Sequence, residues 1–137
     1  MIYIDDKNIK GMQALLNEIK EYVIVVGSVA EGTDNKASDI DFYVKSKSEE
    51  LIDKEIESNN YSKDGIEETY LDIIIELLDK YNIDWESEFV SYITTTNTPI
   101  QMEFSPIFNI KGKRKSKVIV CGVEIESYVT DIKEVKR

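Results

Sequence analysis

Histidine is absent from this 137-residue chain, and cysteine occurs once, as Cys121. Without histidine there is no Ser-His-Asp type of triad, no imidazole general base and no histidine metal ligand. A single cysteine allows no intrachain disulfide and none of the multi-cysteine patterns that bind zinc or iron-sulfur clusters. Its neighbours Val118, Ile119 and Val120 predict a buried, inert thiol. No apolar run approaches the roughly 20 residues needed to cross a bilayer. Asp5 and Asp6 stand where a signal peptide would carry positive charge, so a soluble, cytoplasmic protein with no membrane partner is expected. Basic residues are also in short supply: 17 against 27 acidic ones, a net charge of -10. That balance repels polyanions at long range and makes nucleic acid an unfavoured partner. Carboxylates remain as the main catalytic resource.

The length suits one ordinary hydrophobic core, so residues 1–137 are expected to form a single domain with a C-terminal hairpin extension at 107–130. An apolar fraction of 42% belongs to a folded protein rather than an acidic disordered tail. Charge is unevenly spread. Residues 46–88 hold 14 acidic and 4 basic side chains, whereas residues 111–137 hold 4 acidic and 8 basic ones.

Helical spacing of Ile9, Met12, Leu15, Leu16 and Ile19 predicts a surface helix. Tyr22 to Val26 reads as a short strand covered on both faces and ended by Gly27, and Ser28 to Glu31 as a short helix. A loop follows, and then Ser38 to Val44 reads as a second strand. Helices are expected from Ser48 to about Ser58 and over 66–80, the second with Ile66, Tyr70, Ile73, Ile74, Leu77 and Leu78 facing inward. Asn82 to Glu88 is expected to be a connector with Trp85 plugging the core. Phe89 to Thr94 and Ile100 to Phe104 are strand candidates, and Lys111 to Lys117 reads as a solvated basic loop. Val118 to Cys121 and Val123 to Ile125 form a hairpin around Gly122 in this reading. The whole is an α/β (α+β) protein with a small mixed sheet packed against helices.

In the second strand Ile40, Phe42 and Val44 alternate against Asp39, Asp41 and Tyr43, so both carboxylates leave by one face while the apolar set enters the core. Glu103 alternates against Met102 and Phe104 in the same way. Oxygen ligands of this kind suit Mg2+ or Mn2+ better than zinc and serve phosphoryl transfer. Gly27-Ser28 at the mouth of a short helix adds N–H donors and a hydroxyl for phosphate oxygens. Each piece alone is commonly a plain turn or a solvated strand face; their order is what gives them weight. Asp72 is the competing third carboxylate, read here as surface charge.

That order, Gly27-Ser28-Val29-Ala30-Glu31-Gly32 followed by Ser38-Asp39-Ile40-Asp41-Phe42-Tyr43-Val44, resembles the signature of the DNA polymerase beta-like nucleotidyltransferase superfamily. The small size is similar to that of minimal nucleotidyltransferases and of the N-terminal domain of aminoglycoside nucleotidyltransferases. The signature covers residues 23–44, and the predicted elements extend the likeness to about residue 105. The resemblance implies a nucleotidyltransferase fold that moves a nucleoside monophosphate from a nucleoside triphosphate to an acceptor hydroxyl. Gly27 and Ser28 would meet the terminal phosphates, and Gly32 would permit the turn beyond the short helix. Asp39 and Asp41 would hold Mg2+ or Mn2+, with Glu103 as third carboxylate or general base. Lys36, between the two signature elements, is a further candidate phosphate contact. The acceptor would be a small molecule or a protein side chain, with a helical partner protein or a second copy completing the site. Members often carry Arg beside the Gly-Ser pair and Asp as the third carboxylate, where this chain has Val29, Glu31 and Glu103. A noncatalytic nucleotide-sensing or antitoxin-like binding protein of the same fold is the alternative.

Overall fold

Four consecutive apolar residues, Val23–Val26, form a central strand β1 whose side chains are all buried, because both faces of the sheet are covered there. The computed structural model describes residues 6–34, 39–47, 69–89, 92–106 and 111–131. Around β1 lie α1 (Asp6–Ile19), α2 (Gly27–Glu31), β2 (Ile40–Val44), α3 (Leu71–Lys80), β3 (Trp85–Phe89), β4 (Tyr92–Thr95), β5 (Met102–Ser105), β6 (Lys113–Val120) and β7 (Val123–Thr130). The seven strands make one sheet in the order β3-β4-β5-β2-β1-β7-β6. The β1–β7 and β2–β5 pairs are parallel and the other four antiparallel, so the expected mixed α/β class holds.

One sheet face carries the main core. Met12, Leu15, Leu16 and Ile19 of α1 and Leu71, Ile74 and Leu78 of α3 pack there on Val23, Val25, Ile40, Phe42, Val44, Met102 and Phe104. Each set recurs at three- and four-residue spacing, which lines one helix stripe against the sheet. The opposite face holds a smaller buried cluster of Ile24, Val26, Tyr43 and Tyr128. By alternation with Ile40, Phe42, Met102 and Phe104, Asp41 and Glu103 point to that second side, away from α1 and α3.

Several sequence expectations change. Helix α3 begins at Leu71, because Thr69 pairs with Ser46 in an isolated bridge and Tyr70 N–H is bonded to Lys45 O. Its inner stripe accordingly starts with Leu71, which the expected stripe omitted. Residues 85–88, expected as a connector, belong to strand β3. Trp85 faces Thr95 across the β4 pairing and donates its Nε1–H to Asp79 Oδ1 at 3.2 Å. The basic run is strand from Lys113 onward, in register with β7 from Lys113↔Thr130 to Val120↔Val123. Cys121 and Gly122 are its turn, both at positive φ (52° and 83°), the pattern of the two-residue turn that matches strand twist. Cys121 is therefore half-buried in a turn rather than sealed in a strand, with burial pushing its thiol up from the ordinary value. The helix expected over 48–58 lies outside the described residues.

Candidate active site

Pairing register brings the carboxylates together. In β2, Asp41 lies opposite Glu103 of β5 and opposite Val26 of β1, so the residue before Gly27 and two acidic residues share one row across the sheet. Directly below, Phe42 and Phe104 are also register partners, and their rings stack with centroids 5.0 Å apart and planes 9° from parallel. The ring pair packs in the core and fixes β2 against β5, which in turn fixes Asp41 against Glu103. Asp39 sits one step outside the strand. Ile40 N–H donates to Gln101 O at 2.9 Å, extending the β2–β5 pairing to the residue after Asp39. The Gln101 amide lies over the Asp39 carboxylate; with its nitrogen turned inward it donates to Oδ1 and Oδ2 at 3.2 and 3.1 Å.

Gly27 completes the approach. It has φ +77°, and a Cβ built there would collide with Asp41 Oδ2 and lie 3.3 Å from Asp41 Cβ and Cγ. Both the backbone angle and the space therefore require glycine. Ser28 follows in the first turn of α2; its carbonyl accepts the N–H of Gly32 and of Thr33. Gly32 (φ +78°) is the left-handed cap that ends α2; it is exposed and closes the turn rather than lining the cleft. Gly27, Asp41, Tyr92 and Glu103 line an open cleft of about 320 Å³.

Like charges crowd this cleft. Burial pushes the Asp41 carboxyl up to about 7, helped by a hydrogen bond and repulsion from Glu103 and by repulsion from Asp39. Asp39 is raised as well, by burial first and then by the charge and hydrogen bond of Glu103. Burial and mutual repulsion thus both disfavour charge on Asp39 and Asp41. In keeping with that, no three acidic or sulfur side chains among the described residues stand in a ready ligand array. The donor chemistry nonetheless fits a hard divalent cation: oxygen donors only, mutually repelling, with an Asp41 oxygen packed close against the Gly27 backbone.

Two residues of the cleft escaped the sequence reading. Tyr92 donates its hydroxyl to Glu103 Oε1 at 2.6 Å, and Gln101 lies on Asp39. Burial and the Glu103 contact raise the Tyr92 phenol above its ordinary range. The usable signal was the alternation of Tyr92 with Ile93 in β4, but the Thr94↔Glu103 register that aims Tyr92 at the carboxylates is a long-range fact. Glu31, singled out where relatives carry Arg, is a structural tie. It accepts from Thr130 N and Oγ1 and from Lys113 Nζ at 3.0–3.1 Å, anchoring α2 to the β6–β7 hairpin. Burial raises the Glu31 carboxyl, but these bonds outweigh it and hold it below its ordinary value. Asp72 is paired with Lys47 at 2.7 Å on α3, away from the cleft lining. Lys36 lies outside the described residues. No helix among the described residues is long and apolar enough to cross a membrane.

A family model for the nucleotidyltransferase domain matches residues 7–121, which includes every carboxylate of the cleft. No curated protein and no solved structure matches the chain.

Proposed function

The chain belongs to the nucleotidyltransferase domain family, and from that membership we propose that it moves a nucleoside monophosphate from a nucleoside triphosphate to an acceptor hydroxyl, in a reaction that needs Mg2+ or Mn2+. The observation that carries this reading is the Asp41–Glu103 register pair facing the Asp41-packed glycine, with Asp39 close enough to interact with Glu103. Asp39, Asp41 and Glu103 would hold the cation. When bound, it neutralises phosphate charge and acidifies a hydroxyl.

The chain's own residues do the rest. Gly27 lets the phosphates approach the backbone at the start of α2, where free N–H groups and the Ser28 hydroxyl can receive their oxygens. Glu103 takes the proton of the attacking hydroxyl, which displaces pyrophosphate from the α phosphorus in line. Lys36 remains a proposed phosphate contact. A protein partner or a second copy would present a side chain as acceptor, or a small hydroxyl compound would enter the open cleft directly. A cytoplasmic setting, where triphosphates are abundant, accords with this.

A noncatalytic nucleotide-sensing or antitoxin-like protein is the second reading, favoured by the lack of a ready three-ligand array among the described residues and by the Tyr92 hydroxyl bonded to Glu103. Isothermal titration with ATP, GTP, CTP and UTP, with and without Mg2+ or Mn2+, tests the first. Metal-dependent binding of at least one triphosphate is expected, weakened at least about tenfold in Asp39→Asn, as loss of a metal ligand predicts. Equal binding with and without metal, or in Asp39→Asn, would remove the catalytic carboxylates from the proposal.

A further inference from the structure

The hydroxyl closest to the proposed base is the protein's own. Tyr92 Oη donates to Glu103 Oε1 at 2.6 Å, within the cleft that Gly27 and Asp41 line. Glu103 is the group assigned to accept the proton of the attacking hydroxyl, so Tyr92 stands where an acceptor would stand. Its placement is built in rather than incidental. Tyr92 pairs with Phe89 at the β3–β4 bulge, and two residues on, Thr94 faces Glu103, which puts Tyr92 on the carboxylate side of the sheet. Tyr43 also borders the cleft, but its side chain is buried in the second apolar cluster.

We propose that Tyr92 is an acceptor, so that the protein nucleotidylates itself on this residue. The inference rests on the transferase reading above and names an acceptor for it. The Tyr92 oxygen bonds to the α phosphorus of the triphosphate, the bond from that phosphorus to the bridging oxygen of the β phosphate breaks, and pyrophosphate departs. The phenolic proton passes to Glu103. The product is a phosphodiester between the Tyr92 ring oxygen and the nucleoside, and no redox change is involved.

Two consequences follow from the geometry. The acceptor and base belong to one chain and already touch, so transfer is intramolecular, with the advantage of a prepositioned reactant. The attached nucleotide then occupies the cleft, so modification stops at one per chain.

The test uses the full chain with no added acceptor. Wild type, Tyr92→Phe and Asp39→Asn are each incubated with the four α-labelled triphosphates and Mg2+ or Mn2+. Incorporated label, intact mass and the modified peptide are read out, and triphosphate binding is titrated in the same preparations. Wild type should gain one nucleoside monophosphate at Tyr92, at a first-order rate that does not change with protein concentration. Tyr92→Phe should fall to background while still binding the triphosphate with metal, which also shows that it is folded. Wild type that binds the triphosphate but takes up no label overturns self-transfer and leaves the transferase reading standing. So does Tyr92→Phe labelled as fast as wild type. No metal-dependent triphosphate binding by wild type overturns both.

Discussion

Asp41 shows what the fold imposes on one side chain. Its strand position forces the carboxyl into a half-covered cleft next to Glu103 and Asp39, and its carboxyl rises from the ordinary 3.8 to about 7. The folded protein thus holds a proton over a window in which the unfolded chain has lost it. The stability linked to that proton is fully present below about pH 4 and disappears as pH rises through about 7. Replacing Asp41 by Asn removes the charge and keeps the shape. In EDTA, Asp41→Asn is expected to melt about 3–5 °C above wild type at pH 8 and close to wild type at pH 4.5, within the range that changes of order 1 kcal/mol produce. Thermal melts at the two pH values decide it; a variant that melts no higher than wild type at pH 8 would mean that Asp41 bears no charge burden. Gly27 shows the complementary constraint, since the Asp41 oxygen occupies the space that any side chain there would need.

At the scale of elements, the register of β2 against β5 is what turns two separate sequence stretches into a site. The stacked Phe42 and Phe104 rings are fully buried and lie one residue from Asp41 and Glu103. Truncating Phe104 to Ala is expected to cost about 3–5 kcal/mol in denaturant unfolding, through lost burial and the cavity left behind. A loss under about 1 kcal/mol would show that the ring does not hold the β2–β5 pair. The strands and turns nearest the site are legible in the residues themselves. Val23–Val26 is continuously apolar, Ile40, Phe42 and Val44 alternate against Asp39 and Asp41, and Gly27 and Gly32 mark the two ends of α2. Legibility fails at the sheet edges. In β3, Glu86 and Ser87 are not buried, and in β6 the lysines and Arg114 lie on strand positions that need no burial, so neither segment shows an apolar period. Thr69 and Tyr70 look helical in sequence because their pairing with Ser46 and Lys45 joins distant parts of the chain. Tyr92 and Gln101 escape notice for the same reason: what they touch is set by which strands become neighbours, and local periodicity carries no such information.

For the whole molecule, the net charge of -10 is a repulsive load, and the cleft concentrates part of it. Two ionic effects should therefore be separable in one set of melts near pH 8. Sodium chloride screens the diffuse repulsion, raising the melting temperature gradually as the Debye length shrinks. A cation held by Asp39, Asp41 and Glu103 acts differently, because it binds the folded arrangement and not the unfolded chain. At a concentration about ten times its dissociation constant, such binding adds about 1.4 kcal/mol, or about 4 °C. Mg2+ is accordingly expected to raise the melting temperature of wild type beyond NaCl of equal ionic strength. In Asp41→Asn the extra increment should vanish while the NaCl response persists, since the diffuse charge is almost unchanged. Equal Mg2+ increments in wild type and Asp41→Asn would place the cation elsewhere on the acidic surface and detach metal binding from this cleft.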